Sequence, residues 1–133
     1  MNYIGLFSVL VALVTSAPAQ AHTPLSPARY IAIEKHVRSL TNEGMRSRLL
    51  LLGLQAGANS HEQYALDQGV SDDIQVVYQQ GGTSAGRHTA YGGREPQAIA
   101  AYLARHPQDV QALQALQAEF ERLSAAIDAA RAE

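Results

Sequence analysis

The feature that most constrains the fold is the spacing of apolar residues in the last third of the chain. Large apolar side chains recur there in alternating steps of three and four residues, at Leu113, Leu116, Phe120, Leu123 and Ile127, and the smaller Ala130 continues the pattern. This period matches one face of an α-helix. It predicts a long C-terminal helix that begins at Pro107. The apolar face would pack against the rest of the domain or, in a homodimer, against a second copy through Leu116, Phe120, Leu123 and Ile127.

Shorter helical patterns precede this segment. They predict helices over residues 27–40, 45–56, 60–68 and 96–106, with breaks at Thr41–Gly44, at Gly57–Asn59 and at Gly69. Residues 74–80 fit either a helix or a strand, and a helix is favoured because a strand there would have only residues 87–91 to pair with. The expected fold is all-α, a compact bundle of five or six helices. A Gly-rich loop, with a small β-hairpin as the alternative, is expected within residues 74–93.

Residues 81–93 hold five of the ten glycines and a group of candidate binding residues. Arg87 and Arg94 offer guanidinium groups that bind anions, His88 offers a titratable imidazole, and Tyr91 offers an aromatic ring with a polar tip. Side chains of these types are common at the centres of protein interfaces. The stretch is therefore interpreted either as a connecting loop or as a recognition surface.

Ser84 lies in this stretch within a G-x-S-x-G pattern at residues 82–86. That pattern is typical of the nucleophile elbow of α/β-hydrolases, where the serine sits between a strand of a parallel sheet and a helix. The expected all-α fold has no such sheet, and the chain is much shorter than a hydrolase domain. We therefore assign no catalytic residue, keep Ser84 as a candidate binding residue, and favour a protein that is not an enzyme.

The N-terminal segment has the features of a secretory signal. Residues 3–14 form an apolar run too short to span a bilayer, and Ala19-Gln20-Ala21 supplies a small-x-small cleavage pattern. Cleavage after Ala21 would remove residues 1–21 and leave 133 − 21 = 112 residues, 22–133, as a single helical domain. The expected location is the periplasm or the extracellular medium.

Composition narrows the classes of partner. The chain has no cysteine, which excludes disulfides and cysteine-based metal sites, and its formal net charge of −2 at pH 7 argues against nucleic acid as a ligand. No second apolar stretch is long enough to cross a membrane after signal cleavage. The expected partner is another protein.

His22 would become the first residue of the mature chain. An N-terminal histidine of this kind resembles the histidine brace of copper proteins, in which the α-amine and the imidazole hold the metal together. That resemblance implies a copper site, or by the same donor groups a zinc site, with His88 as the candidate second ligand. Apart from such a metal, no cofactor is expected.

Two functions follow from the sequence. The first is a small exported helical binding protein, such as an inhibitor, an immunity-type factor or an accessory factor that acts on another protein. The alternative is a metal-binding protein or enzyme that uses His22 and the Gly-rich stretch.

Overall fold

The computed structural model describes residues 23–54 and 60–132, and these residues form five α-helices and no strand. The helices are α1 (Pro27–Gly53), α2 (Ser60–Gln80), α3 (Ala85–Arg94), α4 (Pro96–Ala104) and α5 (Pro107–Arg131). The all-α prediction is confirmed, and residues 74–80 are helical. The proposed signal peptide, His22 and the break predicted at residues 57–59 lie outside the described residues.

Helix α1 forms the centre of the fold and contacts each of the other four helices. Helix α2 packs antiparallel to it, since Val70 lies against Gly44 and Gly81 lies against Ile33. Helix α5 packs parallel to α1 on another side, and within the described residues α2 and α5 do not contact each other. The short helices α3 and α4 lie near the N-terminal half of α1.

Helix α1 is continuous, so the break predicted at residues 41–44 is wrong. Thr41 Oγ1 donates a hydrogen bond to the carbonyl oxygen of Val37 one turn earlier. Gly44 gives α2 room to approach, because a Cβ atom there would lie only 2.6 Å from Cγ2 of Val70. The glycine is explained by close helix packing rather than by a turn.

Helix α2 is also continuous, and the end predicted at Gly69 is wrong. The helix ends instead at Gly81–Gly82, where Gly82 adopts a positive φ of 71°. The amide of Thr83 donates to the carbonyl of Tyr78, and the amide of Gly82 donates to that of Gln79. These two bonds form a Schellman motif, which requires a residue such as glycine in the left-handed conformation.

Leu123 and Ile127 of α5 are buried within the chain, as are Ile31 and Ile33 of α1. The apolar face predicted for the C-terminal helix is therefore part of the protein's own core at these positions. Leu123 and Ile127, two of the four residues named for a possible homodimer interface, are thus already covered by their own chain. Phe120 differs from them, since its side chain remains 40% exposed.

The first turn of α5 is held to α1 and α4 by Asp109. Lys35 Nζ lies 2.6 Å from Asp109 Oδ1, and the hydroxyl of Tyr102 donates to Oδ2 over 3.0 Å. The hydrogen bond from Lys35, followed by that from Tyr102, lowers the pKa of Asp109 below its ordinary value.

Among the described helices, none is both long enough and apolar enough to cross a membrane.

Candidate functional site

Residues 85–94 form helix α3, so the loop predicted across the Gly-rich stretch is wrong over most of its length. Ser84 is the N-cap residue, and its hydroxyl accepts a hydrogen bond from the amide of Arg87 at 3.3 Å. Three glycines in ten residues give α3 a poor intrinsic helix propensity. Packing of its buried residues, His88 and Tyr91, against α1 outweighs that preference.

Ser84 thus has a structural explanation. Its hydroxyl satisfies one of the free amides at the start of α3. A helix does follow the G-x-S-x-G pattern, contrary to the sequence-based expectation, but the segment before it is helix α2 rather than a strand. The serine is therefore not presented as it is in a nucleophile elbow.

His88 is buried, with an exposed fraction of 2%. Its ring stacks on Tyr30, and the ring of Tyr78 lies at a tilt on a centroid distance of 5.4 Å. Nε2 lies 3.2 Å from the carbonyl oxygen of Tyr30, and Nδ1 lies 3.6 Å from Oε1 of Glu34. Both ring nitrogens thus face polar atoms of α1, and the imidazole is not displayed to a partner at the surface.

Glu34 lies at the centre of the polar groups around His88. Its Oε2 accepts a hydrogen bond of 2.9 Å from Nε of Arg38, one turn along α1. Burial, followed by the negative charge of Glu34, raises the pKa values of Tyr30 and Tyr78. Both phenols therefore remain protonated across the neutral range and can act as hydrogen-bond donors.

The remaining candidates lie on one face of α3. Arg87, Tyr91 and Arg94 follow at spacings of four and three residues, which places them on the same side of the helix. They line an open groove of about 550 Å³. The other lining residues are Thr23, Pro24 and Leu25 of the N-terminal segment, Thr83 before α3, and Ala90 and Glu95.

The N-terminal wall of this groove is held by contacts to the turn between α2 and α3. Nη1 of Arg29 donates to the carbonyl oxygen of Gly81 over 3.1 Å. Thr23 lies so close to Gly82 that a Cβ atom on the glycine would be 2.8 Å from Oγ1 of Thr23. Glycine at position 82 thus allows two things: the positive φ of the turn, and the close approach of Thr23, which belongs to the segment that faces α3.

The groove is positively charged at its α3 side. Arg87 and Arg94 are exposed, and in the described part of the chain neither guanidinium takes part in an ion pair. The acidic side chain among the lining residues is that of Glu95. Tyr91 lies between the two arginines and is almost fully buried, so it contributes to the wall of the groove more than to an exposed surface.

No group of three histidine, cysteine, aspartate or glutamate side chains within residues 23–54 and 60–132 is arranged to hold a metal ion. The metal site predicted from His22 and His88 involves one residue outside the described ranges and one whose ring is enclosed by Tyr30 and Tyr78. A role for His88 as a ligand would require the imidazole to leave this position.

Sequence reasoning missed the contribution of the N-terminal segment and of α1. The sequence analysis assigned no role in the site to Pro24, Leu25 or Tyr30. No periodic signal in the sequence places residue 23 beside residue 82, because this contact depends on how α1 packs against the end of α2.

Comparisons with models of protein families, with curated proteins and with solved structures find no match.

Proposed function

We propose that this protein is a small exported helical binding protein that holds an acidic segment of another protein in the groove beside α3. The observation that carries the proposal is the placement of Arg87 and Arg94 on the same face of α3, without an ion pair among the described residues, at the edge of a groove of about 550 Å³. Arginine is well suited to carboxylates, since its planar guanidinium can donate two parallel hydrogen bonds.

The spacing of the two arginines specifies the partner further. Seven residues of an α-helix span about 10 Å along its axis. Two carboxylates separated by a similar distance could each meet one guanidinium, while the chain between them lies over Tyr91 and Pro24. The proposed partner therefore presents two acidic side chains roughly 10 Å apart on an extended segment.

The place of action is part of the proposal. The apolar run at residues 3–14 and the cleavage pattern at residues 19–21 support export to the periplasm or the medium. An exported protein without cysteine that binds another protein would act as an inhibitor, an immunity-type factor or an accessory factor.

A labelled peptide with two glutamates separated by two prolines tests this function. Such a peptide holds the two glutamates about 9 Å apart in the polyproline conformation. Its affinity, measured by fluorescence anisotropy, should exceed that of a peptide of the same composition with adjacent glutamates, and it should fall as salt is added. A peptide with glutamines in place of the glutamates is the uncharged control.

The matched protein variants are two double substitutions. Arg87→Gln with Arg94→Gln removes the proposed contacts, whereas Arg122→Gln with Arg131→Gln removes the same charge from exposed positions on α5. The first double substitution removes two partly exposed contacts, each of about 1 kcal/mol. It should therefore weaken peptide binding roughly thirtyfold. Equal losses in the two double variants would show that net charge, and not the groove, determines binding.

A further inference from the structure

A second groove lies along the seam between α1 and α2, and it shares no lining residue with the groove beside α3. It is open to solvent and encloses about 330 Å³. The α1 side is lined by Leu40, Glu43, Gly44 and Ser47, and the α2 side by Ala65, Leu66, Gly69, Val70 and Asp73. The proposed binding of an acidic segment does not use any of these side chains.

Most of this lining is apolar and accessible. Leu40, Leu66 and Val70 are only half-buried. Gly69 is exposed, and a Cβ atom there would have no neighbour within 4 Å, whereas Gly44 across the seam is filled by Val70. A chain from outside can therefore approach α2 closely at Gly69.

The described lining includes two charged residues, and both are acidic. Glu43 belongs to α1 and Asp73 to α2, and both are exposed. Neither carboxylate takes part in an ion pair or a side-chain hydrogen bond with a described residue. Because the two helices are antiparallel and Val70 lies against Gly44, the two acids lie within one helical turn of the same level. One cationic side chain in the groove could therefore meet a carboxylate from each helix.

Apolar surface continues along α1 beyond the groove. Leu50 and Leu54 lie seven residues after Glu43 and Ser47, which places them two turns further along the same side of the helix. Each leucine is 70% exposed, so the described part of the chain leaves both largely uncovered. Exposed apolar side chains that adjoin a groove are typical of a docking surface. The surface thus offers carboxylates at one end and leucines about 10 Å away at the other.

We propose that the α1–α2 groove binds a cationic amphipathic helix of another protein. An arginine of that helix lies between Glu43 and Asp73, and its aliphatic stem packs on Val70. A leucine two turns away on the same side of the partner helix packs against Leu50. The sign of the charge selects the partner, because the acidic segment proposed for the α3 groove would be repelled here. The two grooves would thus bind partners of opposite charge.

An alanine-rich helical peptide of about 22 residues tests the proposal on the wild-type protein. It carries a central arginine and a leucine seven residues away on each side, so that either direction of the helix fits the groove. The control peptide has the same composition, with the leucines nine residues away and therefore on the opposite side of the helix. Both are titrated into ¹⁵N-labelled protein. We expect the first to bind at least about fivefold more tightly and to shift the amides of Gly44, Ser47 and Gly69. Equal affinities, or no shift at these amides at millimolar peptide, would overturn the proposal.

Two double substitutions test the charges. Glu43→Gln with Asp73→Asn removes both carboxylates from the groove and should weaken peptide binding roughly tenfold. Glu121→Gln with Asp128→Asn removes the same charge from exposed positions on α5 and should leave the affinity within about twofold of the wild type. Equal losses would show that the peptide responds to net charge alone, which would overturn the proposal.

Gly69→Leu fills the groove from the α2 side. Its Cβ position is open and leucine favours a helix more than glycine does, so the melting temperature should be no lower than that of the wild type. Peptide affinity should fall at least about tenfold. Gly93→Leu, at an equally open position on α3, is the control and should bind as the wild type does. Full binding by Gly69→Leu would place the peptide elsewhere and overturn the proposal.

A second copy of this chain is the other occupant that the charges allow, through Arg87 and Arg94 of its α3. Spectra of the protein without peptide, recorded over a range of protein concentrations, decide between the two. We expect the amides of Gly44 and Gly69 not to shift with concentration. Shifts there that are lost in the variant with Arg87→Gln and Arg94→Gln would assign the groove to self-association and overturn the proposal.

Discussion

The imidazole of His88 lies nearly parallel to the phenol ring of Tyr30, with ring centroids 4.3 Å apart and an interplanar angle of 12°. This stacked pair joins α3 to the first turn of α1. The ring of Tyr91 extends the contact, at a centroid distance of 5.5 Å from Tyr30. The aromatic residues that the sequence offered as candidates for a binding surface are therefore largely what holds α3 in place.

His88→Ala should destabilise the protein. The substitution removes a stacked aromatic contact and leaves a cavity beside Tyr30, for which we expect a loss of about 2–3 kcal/mol in the free energy of unfolding. Arg87→Ala, at the exposed neighbouring position, should change stability by less than about 0.5 kcal/mol. Urea unfolding measures both, and a His88→Ala variant as stable as the wild type would contradict the structural role.

Gly92 and Gly93 provide a matched pair within α3. A Cβ atom on Gly92 would lie 2.5 Å from the hydroxyl oxygen of Tyr30, whereas one on Gly93 would have no neighbour within 4 Å. Because His88 holds the Tyr30 ring, the ring cannot move aside at low cost. Better helix propensity should let Gly93→Ala increase the free energy of unfolding by up to about 1 kcal/mol. The melting temperature of this variant should rise accordingly.

Gly92→Ala should lower the melting temperature although alanine has the same advantage in helix propensity there. The clash of the added methyl group with Tyr30 costs about 1–3 kcal/mol, which outweighs that advantage. The comparison is direct, because both variants add one methyl group to the same helix. An equal gain in stability from the two substitutions would show that Tyr30 does not approach Gly92 in solution.

The fold was more predictable from the sequence than the site was. The apolar spacing predicted the long C-terminal helix and a helix that begins at residue 27, and the structure contains both. The glycines do not predict helix ends reliably, because a glycine can terminate a helix, allow a neighbour to approach, or do neither. Gly82 ends a helix, Gly44 admits Val70, and Gly69 has open space around its Cβ position.

The structure places the predicted site residues in two different environments. Arg87 and Arg94 line the groove, whereas His88 belongs to the core. The helical spacing of these residues would have been a usable signal if α3 had been recognised as a helix. The wall formed by Thr23–Leu25 depends on long-range packing that no local pattern encodes.

The interaction of Asp109 with Lys35 and Tyr102 should make stability depend on acid pH. The pKa of Asp109 is lowered in the folded protein, so the stabilisation is complete above the carboxyl group's ordinary pKa and is lost as pH falls through its lower folded value. Asp109→Asn should therefore lower the melting temperature at neutral pH, and the difference from the wild type should shrink toward pH values below the folded pKa. Asp128→Asn, at an exposed position on the same helix, is the control, and a constant difference across pH would contradict this account.

Intact mass spectrometry of protein recovered from an exporting host tests the predicted processing. The denatured mass should correspond to residues 22–133, which is the chain that begins at His22. The binding proposal predicts a native mass without copper or zinc. One equivalent of metal that is lost when an alanine is inserted before His22 would instead support the metal-binding alternative.

Mapping where the acidic peptide binds on the protein tests the proposed role of the α3 groove. ¹⁵N-labelled protein is titrated with the peptide in which two prolines separate two glutamates, and amide shifts are assigned along the chain. We expect the largest shifts at Arg87, Ala90 and Arg94 on α3 and at Thr23 and Leu25 across the groove. Shifts centred on the exposed arginines of α5, or spread evenly over the basic residues, would contradict it.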